Sequence, residues 1–288
     1  TIVTKNLIMM RRVLDIMDKN FYKVDILKGI KEVQNIFYEK NIKYSAVYDN
    51  ERLVGVLTLR ELVIANPNSI VENVMTDRYT CIGCKSYIWK VKEIYDSIGG
   101  IDAIFVKDKN DIVGYVSKTS INIELGKHID LLTGLYKNDY LFYNAYKLIK
   151  NRKPMSLIFI DINEFGYINK KYGHIYGDII LENIADILRK NSTSDTFSCR
   201  YAGDEFAILT SDSIDKCKLF AEKLIADTKE YKFLRNIPVS ISIGITDYDF
   251  KNISNENTMD IIKNLINTAS IASTKAKESN KNLVIIKI

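Results

Sequence analysis

Arg200-Tyr201-Ala202-Gly203-Asp204-Glu205-Phe206 reads as two strand ends around a turn, followed directly by two acids. Arg200-Tyr201 on one side and Phe206-Ala207-Ile208-Leu209 on the other are apolar or aromatic enough for strands, and Ala202-Gly203 is the expected hairpin turn. Asp204 and Glu205 are then neighbours on a strand, where alternation sends their side chains to opposite faces. One is expected to meet a ligand and the other to support it. A glycine turn lets a ligand approach the backbone, and adjacent acids suit a divalent metal with phosphate. A Gly-Asp-Glu on its own is more often a solvated hairpin tip.

A second acid in a different setting changes that balance. Leu157-Ile158-Phe159-Ile160-Asp161 is a continuous apolar run ending in a carboxylate, as when a buried strand delivers an acid to the edge of a sheet. Asp161 and Asp204 on neighbouring strands would form a carboxylate pair able to hold Mg2+ or Mn2+. Farther out, Tyr140 to Lys150, Ile214 to Tyr231 and Met259 to Ser279 have helical patterns. Val239 to Ile245 and Leu283 to Ile288 read as strands, and Gly173 to Gly177 is expected to separate two helices. The result is an α/β (α+β) domain with a mixed central sheet.

Asn169 and Asp178 flank that break, so both can reach one pocket. A carboxylate at one position can accept from N–H donors of a ligand, and an amide at the other can both donate and accept. The bland alternatives are that Asp178 caps a helix starting at Ile179 and that Asn169 is a surface amide. Lys277 and Lys281, four apart, share a helical face if the helix runs that far.

Seven ordered segments carry a family likeness: Asp130-Leu131-Leu132-Thr133-Gly134-Leu135, Phe159 to Phe165, Asn169 to His174, Gly177-Asp178, Arg200 to Phe206, Val239 to Ile245 and Ala276 to Asn282. Together they resemble the GGDEF family, the diguanylate cyclases. The resemblance implies a palm-like domain over residues 127–288 that condenses two GTP into cyclic di-GMP and pyrophosphate, with two chains facing each other as a homodimer. It implies metal binding by Asp161, the Ile162 carbonyl and Asp204, and catalytic duty for Asp204 with Glu205 in support. It further implies guanine contacts from Asn169 and Asp178 with His174 nearby, and phosphate contacts from Phe165, Gly166, Lys277 and Lys281. The chain departs from the pattern at Ala202, where the family has Gly, and at Gly166, where it has Lys. It departs again at Lys137-Asn138, where the family has an Asn-Arg pair. Ser192 replaces the arginine of the family's inhibitory Arg-x-x-Asp, leaving Asp195 alone, so no product-inhibition site is expected. Gly166 and the changes at Lys137 and Asn138 support a second reading, a non-catalytic GTP sensor; a cyclase with a different product is a third.

The first half is a repeat. Asp15-Ile16-Met17-Asp18 matches Asn73-Val74-Met75-Thr76, each followed by a helical apolar stripe: Ile26, Leu27, Ile30, Val33, Ile36 and Phe37, then Ile88, Val91, Ile94, Tyr95 and Ile98. Each copy then has two strands, Tyr44–Tyr48 with Leu53–Leu57 and Ala103–Val106 with Ile112–Val116. This half, residues 1–126, resembles a tandem CBS-domain pair. That resemblance implies a regulatory module that often takes an adenine nucleotide, here through Thr58, Glu61, Ser117 and Ser120. Capping of the following helices is an equal reading of those hydroxyls. Between the halves, Ile121, Leu125 and Ile129 form one stripe on an expected helix, against its own domain or as a dimer seam.

Bulk composition agrees with two folded domains: 288 residues, 47% hydrophobic and 27% charged. The net charge of +5 is spread without a basic block, so no nucleic-acid or membrane partner is expected. No membrane span or signal peptide is visible, which points to the cytoplasm, and Thr1 points to a piece of a longer protein. Cys81-Ile82-Gly83-Cys84 has metal or redox spacing, but no second pair completes a zinc site, so free thiols are expected.

Overall fold

The computed structural model describes residues 10–249, 257–279 and 281–287. Thr1, Asn280 and Ile288, which the sequence reading used, lie outside them. The chain divides into two compact units, Thr1–Gly126 and Lys127–Ile288.

The first unit runs β1 (Tyr22–Asp25), α1 (Ile30–Glu39), β2 (Tyr44–Asp49), β3 (Arg52–Thr58) and α2 (Leu59–Ile64). The order repeats as β4 (Tyr79–Gly83), α3 (Ile88–Ser97), β5 (Ala103–Asp108), β6 (Asp111–Val116) and α4 (Lys118–Gly126). Each half makes a three-stranded sheet with one parallel and one antiparallel pair. The halves cross over. Val56 of the first hairpin bridges Thr76 ahead of the second, and Tyr115 of the second bridges Asp18 ahead of the first. Two glycines make this possible. A Cβ on Gly55 would fall 2.8 Å from Met75 Sδ, and one on Gly114 would fall 2.8 Å from the Asp18 carbonyl and 3.1 Å from Met17 Sδ. The matching Met-containing segments of the two repeats are therefore packing partners of the opposite hairpins.

Some expectations shift. β1 and β4 are extra strands; in Tyr22-Lys23-Val24-Asp25 only Val24 is buried, too little alternation to reveal a strand. Ile26 and Leu27 precede α1 instead of lying on it. The helix between the units stops at Gly126, so Ile129 is off it, bridged to Tyr136. Ile121 and Leu125 are buried and α4 packs on α3, so the stripe serves its own unit instead of a dimer seam.

The second unit runs β7 (Tyr136–Lys137), α5 (Asn138–Lys150), β8 (Met155–Ile162), α6 (Phe165–Tyr172), α7 (His174–Asn191), β9 (Thr196–Ala202) and β10 (Glu205–Thr210). It closes with α8 (Ile214–Glu230), β11 (Ile241–Tyr248), α9 (Thr258–Glu278) and β12 (Leu283–Ile285). The six strands lie in the order β12-β11-β8-β10-β9-β7, a mixed sheet as the sequence implies. Strand alternation divides β8 between two layers. Ile158, Ile160 and Ile162 join the core beneath α7 and α8, which leaves Leu157, Phe159 and Asp161 for the face that α5 and α9 cover. Among the described residues no helix is long and apolar enough to cross a membrane.

Candidate active site

The acids gather where β8 and β10 meet the hairpin turn. Glu205 is the residue directly opposite Asp161 in the antiparallel pair, so the two side chains share a face of the sheet. The turn itself is Gly203-Asp204, not Ala202-Gly203: Ala202 still ends β9, and Gly203 takes the left-handed conformation at φ 47°. Asp204 is therefore lifted off the strand, and the alternation that would have parted the two acids does not apply. A register shift between Glu205 and Phe206 accompanies this turn. The Asp204 carbonyl accepts from Ile162 N at 3.4 Å, which ties the turn to β8.

The acids are electrostatically crowded. Burial first, and then the Asp161 and Asp204 charges, push the Glu205 carboxyl above the usual range, with Lys277 pulling the other way. Burial and the Asp161 charge likewise raise Asp204 against its own backbone N–H, Lys277 and Arg200. Lys277, near the end of α9, places Nζ 2.6 Å from Asp161 Oδ1. Two acids of raised proton affinity, Asp204 and Glu205, beside the Asp161 carboxylate and the Lys277 ammonium form a set suited to a hard divalent cation. Among the described residues no three His, Cys, Asp or Glu side chains are already gathered tightly enough to hold an ion; the ammonium supplies the nearby positive charge.

The turn is clamped from outside, a role that the sequence reading did not assign. Arg200 Nε donates to the Gly203 carbonyl at 2.9 Å, while Nη1 donates to both Asp130 oxygens at 3.0 and 3.2 Å. Asp130 Oδ1 also accepts from Thr133 N and Oγ1, at 2.9 and 2.7 Å. Burial works to raise Asp130, but the Thr133 bonds and Arg200 outweigh it and hold the carboxyl below its usual range. An acid opening one motif and an arginine opening another were the available signal. Asn163 is a second such brace, donating to Ser240 Oγ at 2.9 Å and accepting from Ser242 Oγ at 2.8 Å.

The expected nucleotide-binding residues are distributed as follows. Phe165 and Gly166 open α6 after Glu164, whose left-handed φ of 54° starts the helix abruptly. Their N–H groups belong to the first turn, which lacks helical acceptors. Gly173 alone separates α6 from α7, with φ 94° doing in one residue what was expected of five. Gly177 is helical, and its missing side chain is filled by α6: a Cβ there would lie 1.9 Å from Asn169 Oδ1. That oxygen is buried without a hydrogen-bond partner among the described residues. Asp178 is inside α7, not its cap, and is exposed, as is His174 one turn earlier. Lys281 is not on a helix with Lys277. α9 ends at Glu278, and Lys281 N donates to the Ala276 carbonyl at 3.0 Å, turning the chain back.

The first unit's candidates are internally paired. Thr58 caps α2: its hydroxyl accepts from Arg60 N at 3.2 Å, and its N–H donates to Glu61 Oε2 at 3.1 Å. Glu61 Oε1 accepts from Arg78 at 3.0 Å, and Arg78 also bonds Asp102 at 2.7 Å. Ser117 and Ser120 repeat the arrangement, each backbone N–H donating to the other's hydroxyl, at 3.0 and 3.1 Å.

The CBS-domain family model matches residues 13–67. Diguanylate cyclase A of Treponema denticola is 27% identical over 195 residues, covering 62% of this chain and 51% of that protein. Diguanylate cyclase DgcS of Shewanella oneidensis is 30% identical over 122 residues, covering 41% of each. The chain thus spans about half, or less, of the length of these relatives. The crystal structure of diguanylate cyclase SiaD with its activator SiaC from Pseudomonas aeruginosa shares the fold at a TM-score of 0.50 and 20% identity, covering 59% of this chain and 66% of that one. The family model "Diguanylate cyclase, GGDEF domain" matches residues 127–283, more than half of the sequence, and the chain belongs to the GGDEF diguanylate cyclase family.

Proposed function

We propose that the chain condenses two GTP molecules into cyclic di-GMP and two pyrophosphates, each of two facing chains holding one GTP. The observation that carries this reading is the crowding of Asp161, Asp204 and Glu205 beside Lys277, where β8 and β10 meet the hairpin turn. Asp161, the Ile162 carbonyl and Asp204 would hold Mg2+ or Mn2+. When bound, the cation neutralises triphosphate charge and makes the ribose 3′-hydroxyl easier to deprotonate. Glu205, with its raised proton affinity, takes that proton. The new bond joins O3′ to the α-phosphorus of the second GTP, the bond from that phosphorus to the pyrophosphate oxygen breaks, and a second round closes the ring. Lys277 leaves Asp161 for the triphosphate, joined by Lys281 and the first N–H groups of α6. Asn169 and Asp178 read the guanine edge, with His174 alongside.

Gly166 favours a second reading, a GTP-binding sensor, because phosphate at that position has backbone N–H groups alone. Purified protein given GTP and Mg2+, with products read by mass spectrometry, decides. Cyclic di-GMP with loss of product in Asp204→Asn supports the cyclase. Intact GTP with measurable GTP affinity supports the sensor, and a different cyclic product refutes both. GTP as substrate assigns the work to the cytoplasm. The CBS match supports a regulatory role for the first unit. An adenine nucleotide entering at Thr58 and Glu61, or at Ser117 and Ser120, would have to displace the internal pairs, including Arg78.

A further inference from the structure

Between α6 and the connection from α8 to β11 lies a cleft of about 840 Å3, whose lining meets the acid cluster through Asn163, Lys277 and Ser242, the residue opposite Asp161 in the sheet. Its volume falls in the range of small-molecule sites. Its lining is net positive: Lys171, Lys229 and Lys232, with Lys277 already paired to Asp161, stand against the acids Glu164 and Glu230.

Two further features distinguish it from an ordinary surface groove. Thr228, at 2% exposure, lines it with a buried Oγ1 that has no hydrogen-bond partner among the described residues. A threonine inside a helix ordinarily returns its hydroxyl to a carbonyl one turn back, and an unsatisfied buried hydroxyl is costly. The connection that follows α8 is strained: Arg235 and Asn236, the latter lining the cleft, are consecutive left-handed residues, at φ 57° and 54°. Arg235 is held there by its guanidinium, 4.7 Å from the centre of the Tyr176 ring on α7. Strain of this kind persists where the surroundings over-determine it, commonly at ligand clamps. Lys171 stands with its ammonium 5.5 Å and 5.2 Å from the Tyr167 and Tyr172 ring centres, a cation parked on two aromatic faces at the mouth of the cleft.

We propose that this cleft is a second anion site, for a small molecule bearing a di- or triphosphate, distinct from the site at Asp161. Lys229 and Lys232 bind the phosphates from the α8 side, Lys171 swings off its tyrosines to meet them, and Thr228 turns its hydroxyl to the ligand. The proposal stands whether or not the chain turns over GTP.

Inorganic pyrophosphate titrated calorimetrically into the whole chain without Mg2+ is the test. The expected result is binding that weakens about tenfold or more in Lys229→Ala/Lys232→Ala and severalfold in Thr228→Val, a near-isosteric change. A site of undiminished affinity should remain in Lys281→Ala, since Lys281 is not part of the cleft. Absence of binding, equal affinity in the double lysine variant, or complete loss in Lys281→Ala would each overturn the proposal, the last by assigning the anion to the triphosphate site. Circular dichroism on each variant establishes that the fold is kept.

Discussion

Glu61 in the first unit and Asp204 in the second both follow the end of a short strand, and both sit in segments that a family resemblance marks for ligand binding. Their surroundings are opposite. Glu61 gives one oxygen to the α2 cap and the other to Arg78. Asp204 and Glu205 are half-buried beside a third carboxylate, and each is held protonated to a higher pH than an ordinary acid. The first unit has met the needs of its acid from within. The second has left a need that only something brought from outside, or Lys277, can meet. The contrast separates a motif that now serves folding from one arranged for chemistry.

The sharpest way to break that contrast is Asp204→Asn. Turnover of GTP should fall by more than about 100-fold, as expected for loss of a metal ligand when outer-shell changes alone cost 10–100-fold. The same variant should make the metal-free protein more stable. The sign follows from linkage: a carboxyl whose folded pKa lies above its unfolded value supplies stability that is complete below the ordinary carboxylate range and is lost as pH rises through the raised value. Asp204 and Glu205 should therefore contribute a loss of stability to the metal-free wild type from acid toward neutral pH, opposed by the lowered Asp130, and Mg2+ should offset that loss most at neutral pH. Asp204→Asn should flatten both trends in thermal melts with EDTA and with Mg2+. A variant less stable than wild type in EDTA at neutral pH would show that the acids are structural and erase the contrast.

Much of this was readable along the chain, because it depended on local pattern. The apolar run into Asp161 is a central strand, and the Met-containing segments of the repeat are equivalent in space. What escaped was set by contacts distant in sequence or by one-residue choices. Whether the turn is Ala202-Gly203 or Gly203-Asp204 depends on a register shift beside Phe206, and either frame suits the same residues. Gly177 reads as a helix breaker; that it is a packing glycine depends on Asn169 arriving from another helix. The Arg78 bond that occupies Glu61 joins the two repeats, and no periodicity reports it.

Gly177→Ala sharpens the comparison from the substrate side. The added Cβ claims the space of the Asn169 amide and must push it from the wall. Overpacking of this kind costs about 1–3 kcal/mol, which a folded domain tolerates. If Asn169 serves guanine, the KM for GTP should rise about tenfold, with a much smaller change in kcat, since a one-group binding loss is worth ~1–3 kcal/mol. Steady-state kinetics on folded variant protein measure this split. Equal KM values would place guanine recognition elsewhere.

The smallest effect belongs to Glu61→Gln, and it tests the other half of the contrast. Gln keeps the shape and can still accept from Thr58 N, so the cap is weakened, not removed; full loss of a cap costs about 1 kcal/mol. The pair with Arg78 is lost, but that arginine side chain is 43% exposed, and such pairs contribute about 0–1 kcal/mol. A drop of about 1 kcal/mol in stability, read from thermal melts, is therefore expected, with basal GTP turnover unchanged because the residue lies outside the second unit. ATP and AMP titrated calorimetrically into wild type and variant complete the test. If Glu61 acts only within the fold, any affinity present is the same in both proteins, or higher in the variant because Arg78 is released to meet phosphate. If affinity disappears with the charge, Glu61 belongs to a ligand after all, its bonds to Thr58 and Arg78 are a resting arrangement, and the two acids are alike in kind.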